Sequence, residues 1–384
     1  MDPVRKRILA GDFAGAVSQL EKMAAQPSGD QLVYVLDYAT VLSAAGDWKA
    51  SNRAFLAAEQ LADLQDYHSV SRITGSMLWN EEAKQYKGDT FEKVFISAYL
   101  AMNHIAEGDF ESAQVAARRI NEKYQKYRLD DSKDYELNPF AKYLAGLIWE
   151  AVGNMDFAFL SYQDAWKLDS EMGGLSEALV RTAKLAKRER EFKYYSDKFS
   201  IPFKDEWRNK NYGEIVLIHQ QGWGPRKQPN PLDYRFPVLV PVKSFTQSSE
   251  LIIDGVGAIP SVKVYDVSLA AIKTLEADMA ALVARRVGAE VVKYKVAEEL
   301  DKRGNGLGSL YYIAAMAADR ADVRHWSTLP ETIQVARTYL KAGTYLVRVV
   351  GKTESGDETG EDLPWRNVVV HPGKKTFLIW RSFK

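Results

Sequence analysis

The sequence predicts an α+β protein with two domains, an α-helical repeat domain over residues 1–205 and an α+β domain over residues 206–384. Two observations support this division. In the first half, a glycine followed by a polar and a hydrophobic residue recurs at the start of segments with helical apolar spacing. In the second half, short β-branched segments are bounded by glycine or proline. We expect a β-sandwich-like second domain with inserted helices at about 267–320.

Composition limits the classes of function. The 384 residues carry 51 Lys and Arg against 51 Asp and Glu, which argues against a nucleic-acid partner held by broad phosphate neutralisation. The absence of cysteine excludes disulfides, thiolate catalysis and cysteine-based metal sites in this sequence. No apolar run approaches the roughly 20 residues of a membrane span. We therefore expect no nucleic-acid partner, no transmembrane segment and no cofactor.

The clearest helical pair lies in "NPFAKYLAGLIWEAVGNMDFAFLSYQDAWKLDS", residues 138–170. Gly153 marks the turn between two antiparallel helices. The small residues Gly146 and Ala158 allow the helices to cross closely, while Trp149 and Tyr162 fill the space beside the crossing. This pattern resembles the tetratricopeptide repeat, a helical pair with a period of about 34 residues.

The same pattern follows Gly11, Gly46 and Gly108, and each of these glycines precedes an aspartate and an aromatic residue. Glycine at this place is typical of a helix C-cap followed by a tight turn. The intervals of 35, 62 and 45 residues are irregular and predict a degenerate array with insertions. Further helices are predicted near residues 57–80, 175–188 and 190–199.

The second half alternates between two periodicities. The spacing of apolar residues predicts helices over 267–287, from Gly288 to about Asp301, and over 307–318. Alternation along Tyr345, Val347 and Val349 indicates a half-buried antiparallel sheet. Strands are predicted over 213–220, 236–242, 261–267, 331–340, 343–352, 365–371 and 374–383.

The stretch "HQQGWGPRKQP" is the most site-like loop in the sequence. Its imidazole, indole and cationic groups, namely His219, Trp223, Arg226 and Lys227, suit an anion or a sugar bound by stacking and charge-assisted hydrogen bonds. The alternative, which we favour, is a strand followed by an ordinary Gly- and Pro-rich loop.

Other motifs favour structural roles. No histidine pair has metal-ligand spacing, so we expect no metal site and identify no catalytic residue. The glycines of 303–310 lack the Gly-Lys-Ser/Thr ending of a phosphate loop and predict a helix connection. The acidic stretch 355–364 predicts a solvated hairpin tip. Trp326 either plugs the edge of the sandwich, which is the default, or stands out as an exposed binding anchor.

The concave face of the predicted array is mostly apolar and must be covered by a partner or by the chain itself. Its partner-binding candidates are Phe95, Met102, Phe140, Tyr143 and Leu147. The remaining positions of this face are Val33, Leu36, Thr40 and Ala98. We favour coverage by the chain's own helices near 57–80 and 175–199.

Taken together, these residues resemble a family of bacterial cell-envelope lipoproteins with a tetratricopeptide-like N-terminal half. The matching stretches are residues 86–119, 138–162, 213–227 and 322–337. The resemblance implies a periplasmic protein tethered to the outer membrane through a lipid on a cysteine that precedes the first helix; this sequence contains no such cysteine.

The expected function is that of a non-catalytic scaffold or accessory subunit in an envelope assembly, with protein partners. The alternatives are a carbohydrate- or anion-binding envelope protein, including a hydrolase, that uses the 219–227 loop, and a cytoplasmic helical-repeat adaptor.

Overall fold

The computed structural model describes residues 1–71, 86–129, 138–302, 309, 312 and 320–384. Of the predicted helix over 307–318 and the glycine segment 303–310, all but residues 309 and 312 lie outside these ranges. The helices of the first half are α1 (Asp2–Leu9), α2 (Phe13–Ala24), α3 (Gln31–Ala44), α4 (Trp48–Ser71), α5 (Thr90–Glu107), α6 (Phe110–Leu129), α7 (Pro139–Ala151), α8 (Met155–Leu168), α9 (Leu175–Leu185) and α10 (Glu189–Phe199).

These helices form antiparallel pairs that stack in chain order, which confirms the predicted helical repeats. The turn glycine of four pairs has a left-handed φ between 75° and 84°, as expected for a helix C-cap. The next residue caps the second helix, because its side chain accepts a bond from the backbone N–H three residues further on. These capping residues are Asp12, Asp47, Asp109 and Asn154. The Gly-Asp/Asn-hydrophobe motif therefore encodes a C-cap followed at once by an N-cap.

The fifth pair, α9 and α10, makes the same turn without glycine. Lys187 takes the left-handed conformation with φ 59°. The Arg188 N–H donates to the Ala183 carbonyl at 2.9 Å, as the Asn154 N–H does to the Trp149 carbonyl at 2.8 Å. The sequence predicts these helices but not their membership in the repeat, because a lysine stands where the pattern has glycine.

The strands of the second half are β1 (Tyr212–Gln221), β2 (Arg226–Asn230), β3 (Asp233–Val240), β4 (Ser248–Ile253), β5 (Gly257–Pro260), β6 (Val262–Asp266), β7 (Thr332–Lys341), β8 (Gly343–Lys352), β9 (Glu358–Val370) and β10 (Lys375–Arg381). They form one four-stranded sheet with the order β10-β1-β7-β6, another with the order β5-β4-β8-β9, and the hairpin β2-β3. The two larger sheets enclose an apolar core of their own, so the second half is β-sandwich-like as predicted.

The sheet that contains β1 is a middle layer, covered on both faces. Ile215 and Leu217 face the second sheet, while Val216 and Ile218 belong to the core shared with the helices. Every residue of β1 after Tyr212 is buried. The half-buried antiparallel sheet predicted from Tyr345, Val347 and Val349 corresponds to the second sheet, which contains β8 and pairs only antiparallel strands. It does not describe the middle layer, which is covered on both faces and in which β1 pairs with β10 in parallel.

The inserted helix α11 (Val267–Asp301) is continuous through Gly288, where two segments were predicted. A single glycine costs a helix about 1 kcal/mol, which 35 residues of helix tolerate. Strands β2, β4 and β5 were not predicted because they are short or carry proline and few β-branched residues. Across the described ranges, none of the helices combines the length and the hydropathy needed to cross a membrane.

A buried ionic cluster joins the helices to the middle sheet. Glu150 of α7 contacts Arg181 of α9 at 2.5 Å, Arg337 of β7 at 3.1 Å and Lys375 of β10 at 3.3 Å. Glu214 of β1 binds the same Arg337 at 2.6 Å and also Lys375. Burial alone would raise the pKa of Glu150, but the surrounding cations outweigh it and hold that pKa well below its usual range.

Gly146 is predicted to be essential for the crossing of α7 and α8. A Cβ at this position would lie 2.5 Å from the ring of Tyr162, whose hydroxyl donates to Glu150 at 2.9 Å and leaves the ring no room to move. Gly146→Ala should therefore lower the free energy of unfolding by about 1–3 kcal/mol. The control is Gly288→Ala in α11, where no atom lies within 4 Å of the new Cβ and helix propensity should add up to about 1 kcal/mol. Urea unfolding of both variants provides the measurement; equal effects would contradict the packing argument.

Candidate functional site

The concave face of the helical array is filled by residues 322–330, which we call the docking segment. Its Trp326 is only 2% exposed. The indole centroid lies 5.7 Å from the ring of Phe55, 5.4 Å from Tyr99 and 6.4 Å from Phe95. An aromatic cage of this kind stabilises the docked indole both by burying apolar surface and by edge-to-face ring contacts.

Directed hydrogen bonds fix the docking segment along the groove. The Trp326 indole N–H donates to the Thr40 hydroxyl, and its backbone N–H donates to the Glu92 carboxylate, both at 2.9 Å. Arg324 donates to the backbone carbonyl of Gly29 at 3.2 Å. Helices α3 and α5 and the loop before α3 thus bind this segment through side chains and backbone, as a groove binds a peptide.

Asp37 of α3 holds the next part of the segment. It accepts bonds from the Thr328 backbone N–H at 2.9 Å, from the Thr328 hydroxyl at 2.8 Å and from the Ser327 hydroxyl at 3.1 Å. Burial raises the pKa of Asp37 to about 6, although these donors oppose the shift. The carboxylate is therefore a polar group inside an otherwise apolar groove, fully satisfied by the docking segment.

The predicted groove positions all lie in this interior. Every one of them is less than 9% exposed, namely Val33, Leu36, Thr40, Phe95, Ala98, Met102, Phe140, Tyr143 and Leu147. This corrects their assignment as a partner-binding face. The groove is self-covered as we favoured, and the docking segment and the middle sheet contribute to this cover. Of the helices that we expected to cover it, α9 and α10 form the fifth pair of the array, and residues 72–80 lie outside the described residues. Trp326 is likewise not an exposed anchor, and it fills the helical groove instead of a sandwich edge.

The predicted ligand loop divides into two parts. His219 lies inside β1 with no exposure; its Nε2 pairs with the Ser382 hydroxyl at 2.9 Å and its ring stacks on Trp380 at 4.4 Å. Burial and the charge of Arg381 lower its pKa to about 3. His219 is therefore a neutral core residue and is removed from the candidate site.

Trp223, Arg226 and Lys227 do line a common cleft, with a volume of about 450 Å³. The first helix supplies Arg5, whose guanidinium lies 4.1 Å from the centre of the Trp223 ring. The docking segment supplies Arg324 to the same wall. We call this space the basic cleft, because its lining carries four such cations against the carboxylates of Asp2 and Asp30.

Sequence reasoning missed Arg5 and Arg324, which lie far from residues 223–227 along the chain. Burial of Trp223 brings them together: its indole N–H donates to the Phe383 carbonyl at 2.7 Å, which fixes the ring under Arg5. A second cleft of about 340 Å³ shares Lys227 and Arg324 with the first and continues toward α11. Within the described ranges, no cluster of His, Asp and Glu is arranged to hold a metal ion.

Trp326 should contribute more to stability than any exposed tryptophan. Trp326→Ala is expected to lower the free energy of unfolding by about 3–5 kcal/mol, because it empties the cage and removes the indole donor to the Thr40 hydroxyl. Trp365→Ala on β9 is the matched control, since that side chain is 47% exposed, and should change stability by less than about 0.5 kcal/mol. Denaturant unfolding distinguishes the two, and similar losses would refute the docking role of Trp326.

Asp37 should make stability depend on pH. Its folded pKa of about 6 lies above the ordinary value of 3.8, so its stabilising contribution is present below about pH 4 and is lost as the pH rises to about 6. Asp37→Asn cannot titrate. The free energy of unfolding of the wild type, relative to this variant, should therefore fall between about pH 4 and pH 6, by up to roughly 3 kcal/mol. Parallel pH profiles for the two proteins would contradict this assignment.

The chain is similar to solved helical-repeat structures at low identity. One is a tetratricopeptide repeat protein from Parabacteroides merdae, at 13% identity and a TM-score of 0.33 over 52% of this chain and 65% of that chain. Another is a putative kinesin light chain with TPR-like repeats from Podosopora anserina, at 12% identity and a TM-score of 0.34 over 52% and 90%. MamA from Desulfovibrio magneticus matches at 15% identity and a TM-score of 0.29 over 52% and 88%. No protein-family model and no curated protein matches the chain.

Proposed function

We propose that the chain is a non-catalytic protein-interaction scaffold, an accessory subunit of a bacterial cell-envelope assembly. Its concave face is occupied by its own docking segment, so the partner surface is the outer face of the array. The observation that supports this choice is the distribution of exposed apolar side chains. Among the described residues of α3 to α10, the large exposed ones lie on the second helices of the pairs: Leu56, Val115, Phe157 and Tyr194.

Phe157 has the best surroundings for a partner contact. It is 51% exposed at the start of α8, and its ring packs at a tilt against the buried Trp149, with 5.3 Å between the ring centroids. The guanidinium of Arg118 lies 5.7 Å from the same indole. An aromatic residue beside an arginine on a rigid support is the composition typical of interface hot spots.

The envelope location is part of the proposal and is supported by the family resemblance of residues 86–119, 138–162, 213–227 and 322–337. In that family a lipobox cysteine precedes the first helix. The upstream gene sequence tests the location: a signal peptide that ends in such a cysteine before Asp2 supports a lipid-tethered periplasmic protein. A coding region without one favours a cytoplasmic adaptor.

The outer-face proposal is tested by capture of partners from the crosslinked envelope of the source bacterium. Phe157→Ser combined with Arg118→Ser should reduce recovery of specific partners at least about tenfold, because a central aromatic and its neighbouring cation are removed together. Folding should persist, since both side chains are exposed.

Trp365→Ser is the matched control, because Trp365 is 47% exposed on β9, outside the helical array. It should leave recovery unchanged. Unchanged recovery with the double variant would move the partner surface away from Phe157. Equal loss with Trp365→Ser would indicate a general effect of removing an exposed aromatic residue and contradict a hot spot at Phe157.

A further inference from the structure

Two cations of the basic cleft make no ion pair. In the part of the chain that the structure describes, the side chains of Arg5 and Lys227 form neither an ion pair nor a hydrogen bond. Arg226 pairs with Asp2 at 3.1 Å, and Arg324 pairs with Asp322 at 2.6 Å and with Asp30 at 3.5 Å. Four cations against three carboxylates leave an excess of about one positive charge, and Arg5 and Lys227 keep their donors for a ligand.

Arg5 is held in place for a ligand. Its guanidinium carbon lies 4.1 Å from the centre of the buried Trp223 ring, whose own N–H is fixed to the Phe383 carbonyl. This cation–π contact restricts the guanidinium and uses none of its N–H donors. Burial and the charge of Arg226 lower the pKa of Arg5 to about 10, although the charges of Asp2 and Asp37 oppose the shift.

The uncharged residues that line the cleft suit the polar, uncharged part of a ligand. Burial lowers the pKa of His325 to about 4, so its imidazole is uncharged near pH 7. Its Nδ1 donates to the Val323 carbonyl at 3.0 Å, which leaves Nε2 as a hydrogen-bond acceptor. Tyr34 also lines the cleft, and the volume of about 450 Å³ is within the range of small-molecule sites.

We propose that the basic cleft binds a small phosphorylated molecule, with Arg5 and Lys227 as the residues that recognise its phosphate group. A phosphate monoester carries about −1.5 to −2 charges and three acceptor oxygens at pH 7, so it suits two cations without ion pairs better than a single carboxylate does. Planar guanidinium donors also match the geometry of phosphate oxygens. This proposal is independent of the scaffold function.

Calorimetric titration with glucose 6-phosphate tests the proposal, with inorganic phosphate, glucuronate and glucose as comparison ligands. Glucose 6-phosphate should bind with a Kd of about 1 mM or tighter, and glucuronate should bind more weakly. Glucose should show no binding at about 10 mM, since it offers no charge. Glucose binding as tight as that of its phosphate would overturn the proposal in favour of a neutral sugar site, and absence of binding by both phosphates would overturn it outright.

Single substitutions in and outside the basic cleft test where glucose 6-phosphate binds. Arg5→Gln and Lys227→Gln should each raise the Kd for glucose 6-phosphate at least about tenfold. Lys227 has no partner to lose, so Lys227→Gln should keep the wild-type unfolding midpoint even where Arg5→Gln shifts it. Arg7→Gln on the same helix is the matched control, because Arg7 pairs with Asp12 outside the cleft, and it should bind as the wild type does. Equal Kd values for wild type, Arg5→Gln and Lys227→Gln would show binding elsewhere and contradict the proposal.

Discussion

The insertion of Trp326 into the concave face of the helical array is the contact on which the arrangement of both halves depends. A row of large apolar side chains along α3, α5 and α7 cannot remain in water at a tolerable cost. The docking segment satisfies this face with one indole and a series of directed bonds to Thr40, Asp37 and Glu92. Because β7 follows the segment directly, its position also determines where the middle sheet lies against the helices.

The ionic cluster around Glu150 adds a constraint of a different kind. Apolar contacts tolerate small shifts between the array and the sheet, whereas two buried carboxylates must remain beside Arg181, Arg337 and Lys375. Removing either carboxylate would leave one carboxylate to compensate three buried cations. The cluster therefore specifies the register between α7, α9 and the strands β1, β7 and β10 more strictly than it adds stability.

The sequence was informative where the structure depends on neighbours along the chain. Gly153 and Asn154 reveal their turn because the left-handed C-cap and the following N-cap each favour few residue types. Lys187 makes the same turn, but the sequence does not indicate it, because packing overrides the usual preference for glycine in the left-handed conformation. His219 lies within the predicted strand 213–220 and also opens the site-like loop, and its complete burial follows from the layers that cover β1 on both faces. The meeting of Arg5 with Trp223 likewise depends on contacts between distant segments.

The docking segment connects the basic cleft with the closed groove. Ser327 both lines the basic cleft and donates to Asp37 inside the groove, and Arg324 reaches from the cleft to Gly29 at the start of α3. A ligand that contacts these residues binds only the docked arrangement, so its binding free energy adds to the stability of the closed groove. The outer face around Phe157 shares none of these contacts. The protein recognition that we propose there would therefore not depend on closure of the groove.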